Sequence, residues 1–518
     1  MITANFDPGE LSDDWSRVID ELAGRDVIKR LWRKDHTVIG PDLTEVSNRL
    51  GWLDAVADAR KNWPKWVLQA DQAVEAPAAV GGARVDQVLV LGMGGSSLFP
   101  EVLASTFQSG ADFPDIRVLD STDPAAVART AQECGPNATM ILASSKSGTT
   151  VETRSHLGYF WSRHPFGRDF AVVTDPGSAL ETHALGDDFR FVAHGNPDIG
   201  GRFSALSAFG MVPAAMMGLD GLSLIDTAEE AQDILGPDDD VEENIAVQLG
   251  ALLGVAAQAG RDKLTFILDD SIAAFGSWLE QLIAESTGKH GRGILPVVGE
   301  DETSPDSTSR VYVVLGSADF LARRRREGRV TPGPSVNLLV EEPQDLGAQV
   351  FLWELATAVA GIVLGINPFD QPDVESAKKA ARASLASPGD PVDETRLDDA
   401  LELLRPGDAL VLGAFVDPAL QPRLEAARKV LSERVQLPTT LGIGPRFLHS
   451  TGQLHKGGPD RHVMVQVVGS DDFDLSVPGE SFTFGQLKHA QADGDLAALH
   501  AAGKRAVRVS VKELLDLA

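Results

Sequence analysis

The residues best suited to chemistry are six consecutive ones, Ser145-Lys146-Ser147-Gly148-Thr149-Thr150, placed where a predicted strand ends and a helix begins. Free N–H groups at a helix start, the positive end of the helix dipole and short hydroxyls together match the lone pairs of a phosphate dianion. We therefore predict a phosphate site here. The alternative is an ordinary capping box, in which Glu152 returns a hydrogen bond to the helix start, and the two can coexist.

A second loop of small residues, Gly92-Met93-Gly94-Gly95-Ser96-Ser97, also follows a predicted strand and opens a helix. A dinucleotide site would place glycine where Ser97 stands, and the next acidic strand end, Asp120, lies beyond the usual spacing. No Gly-Lys-Ser/Thr follows, which excludes a phosphate-loop nucleotidase as well. Paired glycines permit close approach of the backbone, so we predict contact with a small ligand.

Two charged residues lie beside predicted apolar helices. Arg202 follows Gly200-Gly201, where a guanidinium could hold a developing oxyanion or a phosphate. Glu285 ends a helix with a buried apolar stripe, and a desolvated carboxylate there has a raised pKa that suits a general base. The alternatives are a surface-loop arginine and a solvated glutamate at a helix end.

The histidines and the cysteine do not indicate a metal site. His449 and His455 are six residues apart and have no carboxylate beside them in the sequence, which differs from zinc spacing. The single cysteine, Cys134, excludes an internal disulfide and any multi-cysteine metal site. We interpret it as a buried structural thiol.

An alternation of strands and helices must position these residues. In the first part of the chain it comprises strands at Gln87–Gly92, Ile116–Asp120, Thr139–Ser144 and Phe170–Thr174, with helices at Ser96–Phe107, Asp123–Cys134 and Thr149–His164. It restarts with strands near Leu264–Leu268, Ile294–Val298, Val311–Leu315 and Ser335–Val340. Such alternation predicts an α/β fold of two doubly wound parallel sheets, each covered by helices on both faces.

We predict four units: an N-terminal helical cap at 1–78, α/β domains at 79–235 and 236–386, and a C-terminal α/β extension at 387–518. The boundaries fall in stretches rich in Pro, Gly and Asp. The extension has predicted strands at Ala409–Phe415 and Val463–Val468 and a helix at Pro418–Glu433. Residues 346–366 are apolar almost all round, which predicts a central buried helix between the two sheets.

The chain has 518 residues, of which 75 are acidic and 46 basic, for a net charge of −29. That charge repels nucleic acid and anionic lipid, so we expect neither nucleic acid nor a membrane as a partner. The acidic N-terminus is unlike a secretory signal, and the longest apolar stretch, Leu355–Ile366, is too short to span a bilayer. We expect a soluble, cytoplasmic protein. The sequence leaves its oligomeric state open, and a homodimer is the assembly that we consider.

Five motifs in order resemble those of the phosphoglucose isomerase family. They are Gly-x-Gly-Gly-Ser, Ser-Lys-Ser-Gly-Thr-Thr-x-Glu-Thr, Gly-Gly-Arg-Phe-Ser, Glu-Ser-Thr-Gly-Lys, and Asn-Pro-Phe-Asp-Gln-Pro-x-Val-Glu before Lys378. They cover residues from about 87 to 380. The C-terminal part resembles the isomerase portion of bacterial fusions with transaldolase, although the chain shows no transaldolase barrel.

The resemblance implies two domains of the sugar-isomerase type and a sugar phosphate as substrate. It implies that Arg202 steadies the enediol oxygens, that Glu285 is the base, and that Lys378 helps at the ring oxygen. It also implies substrate contacts from Gly95, Ser96, Ser145, Lys146, Ser147, Thr149, Thr150 and Gln281.

One feature departs from the family pattern. The histidine expected between the Glu285 and Lys378 motifs is missing, and the segment 449–458, His-Ser-Thr-Gly-Gln-Leu-His-Lys-Gly-Gly, is similar to that loop relocated to the extension. We predict that His455, more than His449, opens the sugar ring, with His449 as a substrate contact. The alternative for either is a solvated or satisfied loop residue.

The expected reaction interconverts glucose 6-phosphate and fructose 6-phosphate, a step of glycolysis and gluconeogenesis. After ring opening, Glu285 moves a proton between C2 and C1 through a cis-enediol. No metal or redox cofactor is expected, because the sugar carbonyl already acidifies the neighbouring C–H. The alternatives are a dual glucose/mannose 6-phosphate isomerase and a non-catalytic sugar-phosphate-binding regulator, with an oxidoreductase a distant third. A regulator would need none of Glu285, Arg202 and Lys378.

Overall fold

A computed structural model describes residues 2–40, 45–76, 78–79, 82–238, 240–373, 381–382, 384–385 and 392–518. The strands are β1 Ala4–Asp7, β2 Gln87–Leu91, β3 Asp115–Leu119, β4 Thr139–Ser144, β5 Phe170–Thr174, β6 Val192–His194, β7 Lys263–Leu268, β8 Leu295–Val297, β9 Arg310–Gly316, β10 Ser335–Leu339, β11 Ala409–Phe415, β12 Thr439–Ile443, β13 His462–Val468 and β14 Arg505–Arg508. They form three separate sheets.

The helices lie between and around these strands. They are α1 Ser12–Gly24, α2 Val27–Trp32, α3 Ala55–Glu75, α4 Leu98–Thr106, α5 Pro124–Glu133, α6 Val151–Arg163, α7 Ala179–Gly186, α8 Ala208–Met216, α9 Gly221–Ile234, α10 Ile245–Gln258, α11 Phe275–Thr287, α12 Ala318–Arg326, α13 Leu346–Leu364, α14 Leu397–Leu401, α15 Gln421–Val435, α16 Gly452–Gly457, α17 Phe484–Ala501 and α18 Val511–Leu515.

The first sheet has the order β3-β2-β4-β5-β6, and its strand pairs are all parallel. Its central strands β2, β4 and β5 are buried on both faces, as their near-continuous apolar runs require. The chain passes from β2 to β3 on one side and then to β4 on the other. The carboxyl ends of β2 and β4 therefore form a topological switch point, where open α/β sheets leave a crevice.

The second sheet has the order β1-β10-β9-β7-β8 and is parallel except for its edge strand β1, which runs antiparallel to β10. The sequence predicted a helical cap from the first residues and missed β1. A strand of four residues with one face half-exposed gives too short an alternation to recognise. The α/β fold class is confirmed.

The third sheet lies in the C-terminal extension, has the order β12-β11-β13-β14 and is entirely parallel. The strands predicted at 409–415 and 463–468 are its two central strands. The sequence did not predict the outer strands β12 and β14 or the long helix α17. The predicted boundary at 386 and Lys378 lie outside the described residues, and the domain division stays a prediction.

Helix α13 is the central helix that the sequence predicted. All but one of its residues are buried, because apolar side chains surround it on every face. The helical segment 343–364 is long and apolar enough to cross a membrane, but 94% of its most apolar window is buried inside the protein. It is therefore a buried core helix, in contact with α9, α10 and α11, and its place between the two sheets stays a prediction.

Candidate functional site

A cavity of about 210 Å³ lies at the switch point of the first sheet. Loops from the ends of β2 and β4 form one wall, and helix α11 and the turn Arg446–His449 form the other. Its lining residues are Met93, Gly94, Gly95, Ser96, Ser144, Ser145, Lys146, Ser147, Thr150, Gly201, Arg202, Gln281, Glu285, Gln371 and His449. Most of the residues that the sequence singled out, from five distant segments, thus meet in one place.

The hydroxyl loop 145–150 turns tightly between β4 and α6. Gly148 has φ +68° and lies against Leu180, where a Cβ atom would come within 2.6 Å of the Leu180 N atom. The Ser145 Oγ accepts from the Gly148 N–H at 3.2 Å and lies 3.3 Å from the Thr150 Oγ1. Thr150 is the N-cap of α6 but makes no side-chain capping bond. The capping box that was the alternative to a phosphate site is therefore absent at this helix start.

The glycine loop after β2 packs closely against other segments of the protein. A Cβ atom on Gly95 would lie 1.9 Å from the Gly201 carbonyl oxygen, and one on Gly94 would lie 2.7 Å from the Gln281 Nε2. The paired glycines let the loop pack against the segments that carry Arg202 and Gln281. Predicted contact with a ligand was only part of the reason for glycine at these positions.

Glu285 and Arg202 face each other inside the protein, 6% and 1% exposed. The Arg202 Nη1 lies 3.4 Å from the Glu285 Oε1, and the Gln281 Nε2 donates to the Glu285 Oε2 at 3.1 Å. Burial raises the pKa of Glu285, and the charges of Arg202 and His449 oppose that rise. The solvated alternatives for both residues are excluded.

Three hydrogen bonds to protein acceptors fix the Arg202 guanidinium. Its Nε donates to the Ser286 Oγ at 2.8 Å, and its Nη2 donates to the carbonyl oxygens of Pro368 and Asp370 at 2.5 and 3.2 Å. These bonds fix the planar guanidinium and leave the Nη1 edge turned toward Glu285 and the cavity.

Three buried polar atoms at the cavity have no hydrogen-bond partner within the described residues. They are the Ser144 Oγ, the Gln281 Oε1 and the Arg202 Nη1. An unsatisfied buried polar group costs about 1–3 kcal/mol, so such groups are rare in a finished core.

His449 reaches the cavity from the C-terminal extension. Its Nε2 lies 2.8 Å from the Glu152 Oε1, and its backbone carbonyl accepts from the Gln281 Nε2 at 2.8 Å. Burial alone would raise the pKa of Glu152, but the charge and hydrogen bond of His449 outweigh burial and hold that pKa below its usual range. A carboxylate at Nε2 makes that nitrogen the N–H of the neutral imidazole.

His455, which the sequence favoured over His449, is not among the residues that line this cavity. It is 3% exposed, and its ring packs against those of Phe447 and His462, with centroids 6.0 and 5.6 Å apart. Burial, with the neighbouring charge of His462 acting in the same direction, holds its pKa well below the ordinary value. Gly457 packs this helix closely against the Gly288 backbone, where an added Cβ atom would come within 2.6 Å of the Gly288 carbonyl oxygen.

The sequence also predicted roles for Lys146, Thr149 and Lys378. Lys146 lines the cavity, but its Nζ forms an ion pair with Asp175 and donates to the Asn196 carbonyl oxygen at 3.0 Å. Thr149 does not line the cavity, and its Oγ1 lies 2.7 Å from the Ser147 Oγ. Lys378 lies outside the described residues.

The sequence missed Ser144, Gln371 and the role of Glu152. Glu152 and Gln371 stand inside motifs that were recognised, so the signal was present, but nothing in the spacing showed which side chain would turn inward. In the described part of the chain, no group of three or more His, Cys, Asp or Glu side chains is arranged to hold a metal ion.

The chain is similar to known proteins. The family model for phosphoglucose isomerase matches residues 55–294. The glucose-6-phosphate isomerase of Thermosynechococcus vestitus is 30% identical over 366 residues, which span 59% of this chain and 67% of that one. The chain belongs to the phosphoglucose isomerase family. The matched family region contains the hydroxyl loop, Arg202 and Glu285.

Other relatives and solved structures cover more of the chain. The glucose-6-phosphate isomerase of Staphylococcus epidermidis is 26% identical over 422 residues, which span 70% of this chain and 92% of that one. The crystal structure of a glucose-6-phosphate isomerase from Chlamydia trachomatis superposes with a TM-score of 0.63 at 19% identity and covers 74% of this chain and 88% of that one. A hypothetical protein from Thermus thermophilus gives a TM-score of 0.60 at 22% identity, with 74% and 100% covered. These structures show the family fold.

Proposed function

We propose that this family member is a glucose-6-phosphate isomerase, which interconverts glucose 6-phosphate and fructose 6-phosphate. The observation that carries the proposal is the placement of Glu285. It is a buried carboxylate with a raised pKa, it faces a fixed guanidinium, and it opens onto a cavity whose opposite wall is a hydroxyl loop at a helix start. That combination provides a base, an anion stabiliser and a phosphate site within one small volume.

The phosphate binds at the loop 145–150. The uncapped first turn of α6 offers backbone N–H groups and the positive end of the helix dipole. The hydroxyls of Ser145, Ser147 and Thr150 surround the same space, and Ser96 closes it from the glycine loop. The Lys146 ammonium, already paired with Asp175, adds positive potential near the anion and is not a direct contact.

The proton transfer takes place at Glu285. Its carboxylate removes the C2 proton of the open aldose, and the electrons move into the C1 carbonyl to give an enediolate. The Arg202 Nη1 stabilises the negative oxygen, because a preorganised donor in a dry site is worth more there than in water. The proton of the C2 hydroxyl moves to O1, Glu285 returns the abstracted proton to C1, and the carbonyl forms at C2.

Ring opening is assigned to His449, and the earlier prediction of His455 is withdrawn. His449 lines the cavity, and Glu152 both fixes its tautomer and stabilises its protonated form. An imidazole in this setting can donate a proton to the ring oxygen and recover it within one turnover. His455 packs against Phe447 and His462 and does not line the cavity, and burial holds its pKa well below the ordinary value.

The wider setting of the proposal is a cytoplasmic enzyme that needs no metal or redox cofactor, since the chemistry described uses only proton transfer. The net charge of −29 opposes binding of nucleic acid and anionic membranes. We propose a homodimer as the assembly of this enzyme.

The direct experiment follows glucose 6-phosphate by proton NMR in deuterated water with the purified protein. The expected result is formation of fructose 6-phosphate together with deuterium at C2 of the recovered glucose 6-phosphate. Binding of the sugar phosphate without turnover would instead identify a regulator. Conversion of mannose 6-phosphate with a comparable kcat/KM would identify the dual isomerase.

The histidine assignment has its own measurement, the effect of deuterium at C2 on the turnover of cyclic glucose 6-phosphate. In His449→Asn, ring opening becomes limiting, so turnover falls and the isotope effect shrinks toward unity. His455→Asn should lower stability and leave the isotope effect of the folded enzyme unchanged. If the two variants exchange these outcomes, the ring-opening residue is His455.

A further inference from the structure

Gln491 connects the C-terminal extension to the carboxylate that holds His449. It lies in α17 and is 4% exposed. Its Nε2 donates to the Glu152 Oε1 at 2.7 Å, and its Oε1 accepts from the Thr122 Oγ1 at 2.8 Å. Both polar atoms of the amide are therefore hydrogen-bonded, with the nitrogen as donor and the oxygen as acceptor.

Two charged residues of the same helix fix the position of Gln491. Lys488, one turn before it, pairs with Asp123 at 2.8 Å, and Asp495, one turn after it, pairs with Lys456 at 2.5 Å. These side chains lie on one face of the helix, because residues three and four apart are neighbours on a helix. The amide is thus anchored to the first domain on one side and to helix α16 on the other.

We infer that Gln491 is a positioning residue for ring opening, acting on His449 through the Glu152 carboxylate. The inference rests on the proposed function. Under it, the C-terminal extension contributes two parts of the acid that opens the ring. One is the histidine itself, and the other is the amide that orients the histidine's partner.

The physical reason lies in the single oxygen that the two donors share. The Glu152 Oε1 lies 2.8 Å from the His449 Nε2 and 2.7 Å from the Gln491 Nε2. Two donors on one oxygen fix the rotation of the carboxylate plane, and each N–H stabilises the buried anion. If the amide is lost, the carboxylate can turn away, and the imidazole loses the constraint that selects its tautomer and direction.

The competing explanation is that Gln491 only helps to dock the extension onto the first domain. The ion pair between Arg129 and Asp417 joins the same two parts at 2.7 and 2.8 Å, lies partly exposed and has no contact with Glu152 among its hydrogen bonds. Arg129→Gln therefore loosens the docking without changing the histidine's partner. It is the matched control.

The experiment compares Gln491→Met, Thr122→Val and Arg129→Gln with the wild-type enzyme, on glucose 6-phosphate with hydrogen or deuterium at C2. Met keeps the volume of Gln491 and removes its amide, and Val removes the hydroxyl that orients that amide. We expect Gln491→Met to lower kcat by about 10- to 100-fold, with KM changed less than about threefold. That is the range found when a residue that hydrogen-bonds and orients a metal-ligating side chain is replaced. The deuterium effect on kcat should shrink toward unity, since ring opening becomes the slow step.

Thr122→Val should act in the same direction with a smaller loss, and it decides the question alone if Gln491→Met does not fold. Arg129→Gln should lower the thermal midpoint and leave the deuterium effect unchanged. The inference is overturned if Gln491→Met and Thr122→Val keep the wild-type rate, or if they lose rate with an unchanged deuterium effect. A wild-type chain without isomerase activity overturns the proposed function and the inference together, whereas an active one with unaffected variants overturns the inference alone.

Discussion

Two buried carboxylates, Glu285 at the cavity and Glu300 at the interface of the second and third sheets, are similarly hidden, at 6% and 8% exposed. Within the described chain, Glu285 accepts one hydrogen bond, from Gln281, and its nearest guanidinium nitrogen is 3.4 Å away. Glu300 accepts hydrogen bonds from two guanidinium groups, a hydroxyl and a backbone N–H, which belong to Arg310, Arg428, Ser432 and Thr439. Glu285 thus keeps carboxylate lone pairs that a substrate can use, whereas those of Glu300 are occupied by hydrogen bonds from the protein.

A third carboxyl group shows that burial alone does not make a base. Glu354 lies in the core helix α13, is fully buried, and has neither carboxyl oxygen hydrogen-bonded within the described residues. Burial raises its pKa well above the ordinary value. It has no solvent exposure, whereas Glu285 opens onto a cavity. The difference between a neutral core acid and a general base is access to a substrate.

The largest expected effect is on catalysis at the cavity. Glu285→Gln should lower kcat by the 10²–10⁴-fold typical of general acid–base catalysis or more, because the amide cannot take the C2 proton. Its free energy of unfolding should change by less than about 1 kcal/mol, since Arg202 keeps its three other acceptors. Turnover assays and urea unfolding measure the two quantities. Near wild-type turnover would remove Glu285 from the mechanism.

At the interface the same substitution should act on stability. Glu300→Gln leaves two buried guanidinium groups without their shared anion and should lower the free energy of unfolding by about 3–5 kcal/mol. The kcat of the folded variant should stay within about threefold of wild type. Glu425→Gln is the control, because Glu425 pairs with the same Arg428 at 2.6 Å but is more exposed, and exposed pairs contribute about 0–1 kcal/mol. A catalytic loss in Glu300→Gln without a stability loss would contradict the comparison.

The buried histidines of the extension should make stability depend on pH. Burial lowers the pKa of His462 to about 4, below its ordinary value of 6.5. Between these values the unfolded chain binds a proton that the folded chain does not, so stability is lost as the pH falls from about 6.5 to 4, by about 3 kcal/mol for this group. Urea unfolding at several pH values measures the slope, which His462→Gln should reduce. Burial lowers the pKa of His455 as well, so His455 contributes to the pH dependence of stability in the same direction. If the slope of stability against pH is unchanged in His462→Gln, the pH dependence comes from groups other than His462.

The smallest expected effect concerns the phosphate loop. Ser147→Ala removes one hydroxyl that lines the cavity and should weaken binding of inorganic phosphate and of sugar phosphate alike, by about 1.5–3 kcal/mol if the bond to the charged ligand is direct. Thr149→Ala should change binding less, because Thr149 contacts Ser147 and does not line the cavity. Calorimetric titration with both ligands separates the cases. Loss of sugar affinity alone would mean that the Ser147 hydroxyl holds the sugar and not the phosphate.

The candidate site could be predicted from the sequence where local chemistry determined it. The hydroxyl loop, the glycine loop, Arg202 and Glu285 stood at strand or helix ends, and the folded chain brings them to one cavity. Which of His449 and His455 lines the cavity could not be predicted, because it depends on how the turn Arg446–His449 and the helix α16 pack onto the first domain. The glycines beside His455 serve close packing, since Gly457 lies against the Gly288 backbone.

The sequence by itself determined the α/β class, the central helix and the residue types of the site, because hydrophobic periodicity and turn chemistry are local properties. Only the tertiary structure decided that β1 joins the second sheet, that the extension supplies His449, and that Gln491 meets Glu152, 339 positions away in the chain. Contacts over such distances depend on how whole sheets dock. Docking is set by shape and by complementary charges on several segments at once, and no single stretch of sequence carries that information.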